Sequence, residues 1–517
     1  MQTPSHEPSL DLAPQSCQSC RSRKRKCDKA LPRCSLCAKR NRNCEYWRPD
    51  ALSHSATTSS PERGWYPSPL DEQADVRTID FPTILFLDPA LLQHGLVETS
   101  PATGTVPQCI IQLLGDLDEI QLTATRFFEH VHQWMPFISK KRFYDLYLQP
   151  SFHSRPDVVL LLLVLKLITT FPPAGSRSPR TALYNSTKHF YLNVEGCFSI
   201  LVLQAGVLVA LYELGHGIYP AAFLSIGTCA RYAYALGINV SRTVPSRRVL
   251  TLVEVEERRR VWWSIVILDR FVSIGCPGRP FATVDPKLDD FLPADDAAWD
   301  QGTVKPDRFS TLSSPMTGHM SKFALLCQAA RLLGQVLYHL STDFTSEDDV
   351  WIQLDRTLQS MLAAALNIDF PDYDQITFVY SALVALYTPW LLSDAVEEIA
   401  AYRSRRAKVI LQQITERIRA NLIERQCFLG RDPEDMSPWG LYFAYRICGA
   451  HMRTSSKSAH GLEVVRSLRE GFMSIDVRWN VAGVYLQLLE AQAGTPNHAV
   501  TCRIGKPVGF PSFNTST

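Results

Sequence analysis

No run of apolar residues in this chain approaches the roughly 20 that a bilayer-spanning helix needs. The longest runs, Val158 to Ile168 and Ile200 to Tyr212, stop short, and Lys166 interrupts the first. Met1 to Pro14 is polar and lacks the apolar core of a secretory signal. Catalytic signatures are missing as well: no Gly-x-Ser-x-Gly, phosphate loop, His-Glu-x-x-His or dinucleotide fingerprint occurs. Strict apolar–polar alternation is scarce, so no strand ladder is expected. The stretch after Arg48 holds no apolar heptad, and Pro61, Pro67 and Pro69 would break one, which argues against a coiled coil there.

Net charge is also nearly absent, at +2 over 517 residues, but it is unevenly placed. Between Gln15 and Arg48 eleven basic residues face only Asp28 and Glu45, a local net charge of +9 that leaves −7 for the rest. A small basic head on an acidic body points to a polyanion partner for the head alone. With 46% hydrophobic and 20% charged residues, the composition is that of a globular protein with length for two to four domains.

Fourteen cysteines are present. Eight of them (Cys109, Cys197, Cys229, Cys276, Cys327, Cys427, Cys448 and Cys502) are scattered singly, mostly in apolar surroundings, and are expected to be reduced and largely buried. The other six lie between Cys17 and Cys44. Cys17-Gln-Ser-Cys20 is followed after six residues by Cys27, and Cys34-Ser-Leu-Cys37 after six by Cys44, a tandem duplication. Thiolates in such numbers select zinc, which takes four ligands in a tetrahedron. Six sulfurs fill two four-ligand sites only if two are shared. Cys17 and Cys34, the first of each copy, are the expected bridges, with Cys20, Cys27, Cys37 and Cys44 terminal. Two zinc ions per chain follow.

Set among these cysteines are Arg21, Arg23, Lys24, Arg25, Lys26, Lys29, Arg33, Lys39, Arg40 and Arg42. With Asp28 after the third cysteine and Pro32 before the fourth, the segment resembles the fungal binuclear zinc-cluster transcription factors. The resemblance implies that Lys24 and Arg23 reach base edges in the major groove, at a CGG triplet. Such side chains match the guanine O6 and N7 acceptors. Arg21, Lys26, Arg40 and Arg42 suit phosphates, which fix register without reading sequence. Arg25 completes the DNA-binding set, and Arg23-Lys24-Arg25-Lys26 also reads as a nuclear import signal. A purely structural zinc knot with a solvated basic surface is the rival reading.

Beyond residue 80 the hydrophobic period is helical. Helices are expected at Gln121 to Trp134, Asp157 to Thr170, Arg180 to Val194, Ile200 to Leu214, and Tyr219 to Leu236 with Gly237 as its cap. Further ones are expected at Glu254 to Ile274, Met320 to Leu340, Asp349 to Ala365, Ile376 to Leu392, Arg403 to Ile423, Pro438 to Met452 and Leu462 to Leu489. Phe127-Phe128-Glu129, Pro136-Phe137, Glu257 to Trp263, Asp269-Arg270, Leu292-Pro293 and, more weakly, Arg478-Trp479 resemble the regulatory "middle homology" domain of the same family. The fold class is therefore mainly α. Its expected organisation is a tail at 1–15, a two-zinc cluster at 16–47, a linker at 48–80, an all-helical regulatory domain at 81–493 and a tail at 494–517.

Glu254 with Arg258, and Glu256 with Arg260, stand one helical turn apart and read as an ion-pair network rather than a catalytic site. His130 and His132 fall on different faces of a helix and make a poor metal pair. The functional reading is a nuclear, zinc-dependent, DNA-binding regulator of RNA polymerase II transcription, not an enzyme. By resemblance its target is a metabolic or specialised-metabolite gene cluster. Its partners are double-stranded DNA, a second copy of the chain, a small-molecule effector and the transcription machinery, with no membrane. Two rivals are an enzyme carrying a DNA-targeting head, and a sensor whose interior (Phe190, Tyr191, Phe198, Leu203, Tyr212) opens a pocket.

Overall fold

A computed structural model describes residues 15–40 with Ala13, Cys44 and Tyr46, then 79–80, 83, 86–87 and 99–100. From 105 to 494 it describes all but 174–177, 239–249, 306–309, 315–319, 343–347, 368–372, 392–397, 424–431 and 454–458. Most of the expected amino-terminal tail and linker, residues 495–517, and Arg42 lie outside the described residues. The chain divides into two units, Met1–Ala74 and Asp75–Thr517.

In the first unit the sequence duplication is a structural duplication. Helices α1 (Gln18–Ser22) and α2 (Ser35–Lys39) each begin directly after the first cysteine of a copy. Helix α1 ends at Ser22, short of the basic run Arg23 to Lys26. Lys24 adopts φ +49°, a left-handed conformation costing an L residue about 1–2 kcal/mol. The Lys24 and Arg25 N–H groups close the turn on Arg21 O and Cys20 O. The cause is Cys27, three residues on, whose sulfur must come back to the other thiols. Buried Cys17, Cys20, Cys34 and Cys37 form the small unit's core, with Cys27, Leu36, Cys44 and Tyr46 packed against them.

The second unit is an array of helices around one hydrophobic core running from Ile110 to Leu489. Two helices at its centre, α3 (Pro156–Thr169) and α4 (Ile200–Gly215), are apolar on all sides and almost entirely buried. Helix α4 packs on α3 and on α5 (Ala221–Ala235), which leads to α6 (Leu252–Val272). From there packing continues through α7 (Lys322–Ser341), α8 (Asp348–Leu366) and α9 (Tyr373–Leu391) to α10 (Trp439–Arg453). Local sequence sets many of the ends. Thr251 and Glu254 form a capping box on α6, Ser321 caps α7, and Gly237 at φ +65° closes α5.

The expected helix boundaries agree with these elements to within a few residues, but several features differ, among them helical turns at Lys140–Arg142, Phe143–Tyr147 and Asp296–Asp300. The run Leu462 to Leu489 is two helices, α11 (Ala459–Ile475) and α12 (Val481–Gly494). Between them the buried Arg478 donates to Ile168 O at 2.6 Å and Trp479 Nε1 to Met436 O at 2.7 Å. Both contacts draw the chain into the core and interrupt the helix. A seven-residue helix, Gln108–Leu114, was not expected. Nor was the two-residue parallel pairing of Ile79–Asp80 with Thr99–Ser100, which involves backbone groups alone. Phe190, Tyr191, Leu203 and Tyr212, which line a pocket in the rival sensor reading, are packed into the core, and Phe198 of the same set is partly buried against it.

The Glu–Arg segment on α6 is the polar hub of this unit. Fully buried Arg260 pairs with Glu256 at 3.0 Å and Asp296 at 2.9 Å, and donates to Pro136 O and Ala294 O. Glu257 accepts from Arg142, Ser139 N and Gln204. Farther along, Asp269 accepts from Arg270 and from the Ala282 and Thr283 backbone. The helix is thereby tied to four neighbouring segments, 136–142, α4, 282–283 and 294–296, the role its spacing suggested. His132 pairs with Asp300, while His130 meets Glu434 and Asp435, so the two do not form a metal pair.

Candidate metal centre and nucleic-acid interface

The duplicated spacing brings all six sulfurs of the first unit together. Cys17, Cys20, Cys27 and Cys34 form one set whose Sγ atoms all lie within 4.8 Å of one another, and Cys17, Cys34, Cys37 and Cys44 form a second. Cys17 and Cys34 are common to both. Their sulfurs are 3.7 Å apart, as are Cys20–Cys34 and Cys17–Cys37. Zinc–sulfur bonds of about 2.3 Å in a tetrahedron separate the sulfurs by about 3.8 Å, so the spacing suits two tetrahedra sharing an edge.

Backbone and side-chain contacts hold this arrangement. The Cys37 and Cys34 N–H groups point at Cys34 Sγ and Cys44 Sγ, at 3.4 and 3.2 Å. The Asp28 carboxylate accepts from Ser35 N at 3.1 Å at the start of α2, and the Ser35 hydrogen bonds lower its pKa. Tyr46 Oη donates to Ala30 O at 2.9 Å and lies 3.8 Å from Cys27 Sγ. Sequence reasoning missed Tyr46, although it is the one aromatic residue close behind the last cysteine before Trp47. Arg21, Arg23, Lys24, Arg25, Lys26 and Arg40 are all exposed, so their charges are available to a polyanion.

Comparison with known proteins agrees with this chemistry. Residues 15–53 match the fungal Zn(2)-Cys(6) binuclear cluster domain, and residues 124–362 the fungal specific transcription factor domain. Transcription factor BOA15 of Botryotinia fuckeliana is 37% identical over 153 residues, 29% of this chain and 84% of that protein. The chain belongs to the fungal zinc-cluster transcription factors. This zinc-cluster factor is also 25% identical to the pigment biosynthesis transcriptional activator pigB of Monascus ruber, over 41% of each chain. The azaphilone cluster-specific transcription factor azaR of Aspergillus niger is 24% identical, over 55% of this chain and 64% of the relative. The zinc-cluster factor is thus a DNA-binding transcription factor and not an enzyme, and its cluster domain binds two zinc ions. Among the described residues no helix is long and apolar enough to cross a membrane.

Proposed function

We propose that this factor acts in the nucleus, where the surface of its two-zinc cluster reads CGG-type half-sites and controls a specialised-metabolite gene cluster. The single observation that carries the metal assignment is the overlap of the two four-sulfur sets at Cys17 and Cys34. These two thiolates would bridge the metals, Cys20 and Cys27 completing one site and Cys37 and Cys44 the other. Zinc supplies the fold of the head rather than chemistry, because so small a unit has little apolar core of its own.

Lys24 and Arg23, where α1 turns away from the cage, are the base-reading pair. Arg21, Lys26, Arg40 and Arg42 hold phosphates, and Arg25 completes the DNA-binding set. Arg23 to Lys26 also serve nuclear import. The pathway assignment is supported by the names of relatives, pigment biosynthesis for pigB and an azaphilone cluster for azaR. The head spans residues 16–47, the linker 48–80 and the regulatory body 81–493. A second copy of the chain, the transcription machinery and a small-molecule effector of the helical body complete the reading. Genome-wide mapping of bound sites tests it: CGG-containing peaks upstream of clustered biosynthetic genes are expected, and peaks without a CGG element would overturn it.

A further inference from the structure

Three segments of the helical unit line a partly open cavity of about 570 Å³: the loop after α6, one face of α7, and α8. Small-molecule sites run to roughly 300–1,000 Å³, so the size suits a metabolite. Phe281, Leu288, Val350 and Leu354 line it with hydrocarbon, and Arg331 brings a guanidinium.

The arginine is anchored on one edge only. Its Nε–H donates to Pro286 O at 3.0 Å, with Asp285 3.9 Å from the same nitrogen. Nη1 and Nη2 carry no hydrogen bond to protein among the described residues. Two parallel N–H groups on a fixed guanidinium match a carboxylate bidentately. Asp285 also lies 3.9 Å from Arg270 Nη2, but Arg270 is already paired with Asp269 at 2.8 Å, so an incoming carboxylate is held by the directional Nη–H groups of Arg331 rather than by surplus positive charge.

We infer that this cavity is an effector site for an apolar carboxylic acid, its hydrocarbon against Phe281 and Leu354 and its carboxylate on the Nη edge of Arg331. The inference rests on the effector reading above and assigns it a place and a ligand chemistry. An occupant would link α8 to the loop that follows α6, the helix carrying the buried arginine hub.

Calorimetry of the full-length, zinc-loaded protein with 2-naphthoate and uncharged 2-naphthamide tests the site. Naphthoate is expected to bind about tenfold or more tightly than the amide, as loss of a charge-assisted pair implies. Arg331→Gln should bring the acid down to the level of the amide. Thr357→Trp, which places an indole at the exposed rim, should remove binding of both while the melting temperature stays near wild type. Arg466→Gln, on an exposed face of α11, should change neither. Undiminished naphthoate binding in Arg331→Gln and Thr357→Trp would put the acid elsewhere, overturning this site while leaving an effector possible. Absence of binding of either probe to the wild-type protein would overturn the ligand chemistry itself.

Discussion

Trp479 lies flat against the backbone of Gly215: a Cβ on that glycine would stand 2.2 Å from Cε3 of the indole. The neighbouring residues repeat the junction, with His216 Nδ1 and Asn480 Oδ1 2.8 Å apart. The end of α4 is thus locked to the break between α11 and α12. The indole cannot retreat, since it is fully buried and its Nε1 is bonded to Met436 O. Gly215→Ala should therefore destabilise the protein by about 1–3 kcal/mol through overpacking, read as a lowered denaturation midpoint. Unchanged melting would mean the two segments part easily.

Removing the guanidinium of Arg260 leaves buried Glu256 with Arg259 as its remaining cation, takes the cation from Asp296, and frees Pro136 O and Ala294 O. Arg260→Ala should cost about 3–5 kcal/mol in chemical denaturation, the usual range for breaking a buried pair. A loss under about 1 kcal/mol would show the hub to be dispensable.

Buried histidines set a pH dependence. Burial holds His216 down at about 3 against an ordinary 6.5, and lowers His132 and His451 in the same direction. The unfolded chain then binds more protons than the native one below pH 6.5, so stability falls as pH drops through that value and on toward 3. Melting temperatures across pH 5 to 7 should slope downward on the acid side, and His216→Gln should flatten the slope. An unaltered slope in that variant would remove His216 from the explanation.

The basic residues of the head should separate into two classes. Lys24→Gln should cost about 1–3 kcal/mol on a CGG duplex and flatten the preference over a scrambled one. Arg40→Gln should weaken all duplexes alike and reduce the slope of log affinity against log salt by about one. Equal losses on both duplexes for Lys24→Gln would assign it to phosphate instead.

Much of this was legible because the controlling information is local. The cysteines of the head stand at a fixed, duplicated sequence spacing, and the period of the helices follows from side chains three and four apart. Glu256 and Arg260 were readable for the same reason. Their other partners, Asp296, Pro136 and Ala294, were not, because tertiary packing alone brings them together. The break at 476–480 was hidden likewise: the sequence there stays helical in pattern, and only Ile168, Gly215 and Met436 explain why Arg478 and Trp479 leave the helix. The cavity beside Arg331 is a cleft shaped by three segments distant in sequence, and such a gap has no residue pattern.

Metal content of the purified protein tests the central claim most directly. Two zincs per chain are expected for the wild type, one for Cys20→Ser, and none retained in either Cys17→Ser or Cys34→Ser, since each bridge belongs to both sites. A wild-type value well below two, or bridge variants that lose no more zinc than Cys20→Ser, would contradict the shared-sulfur cluster.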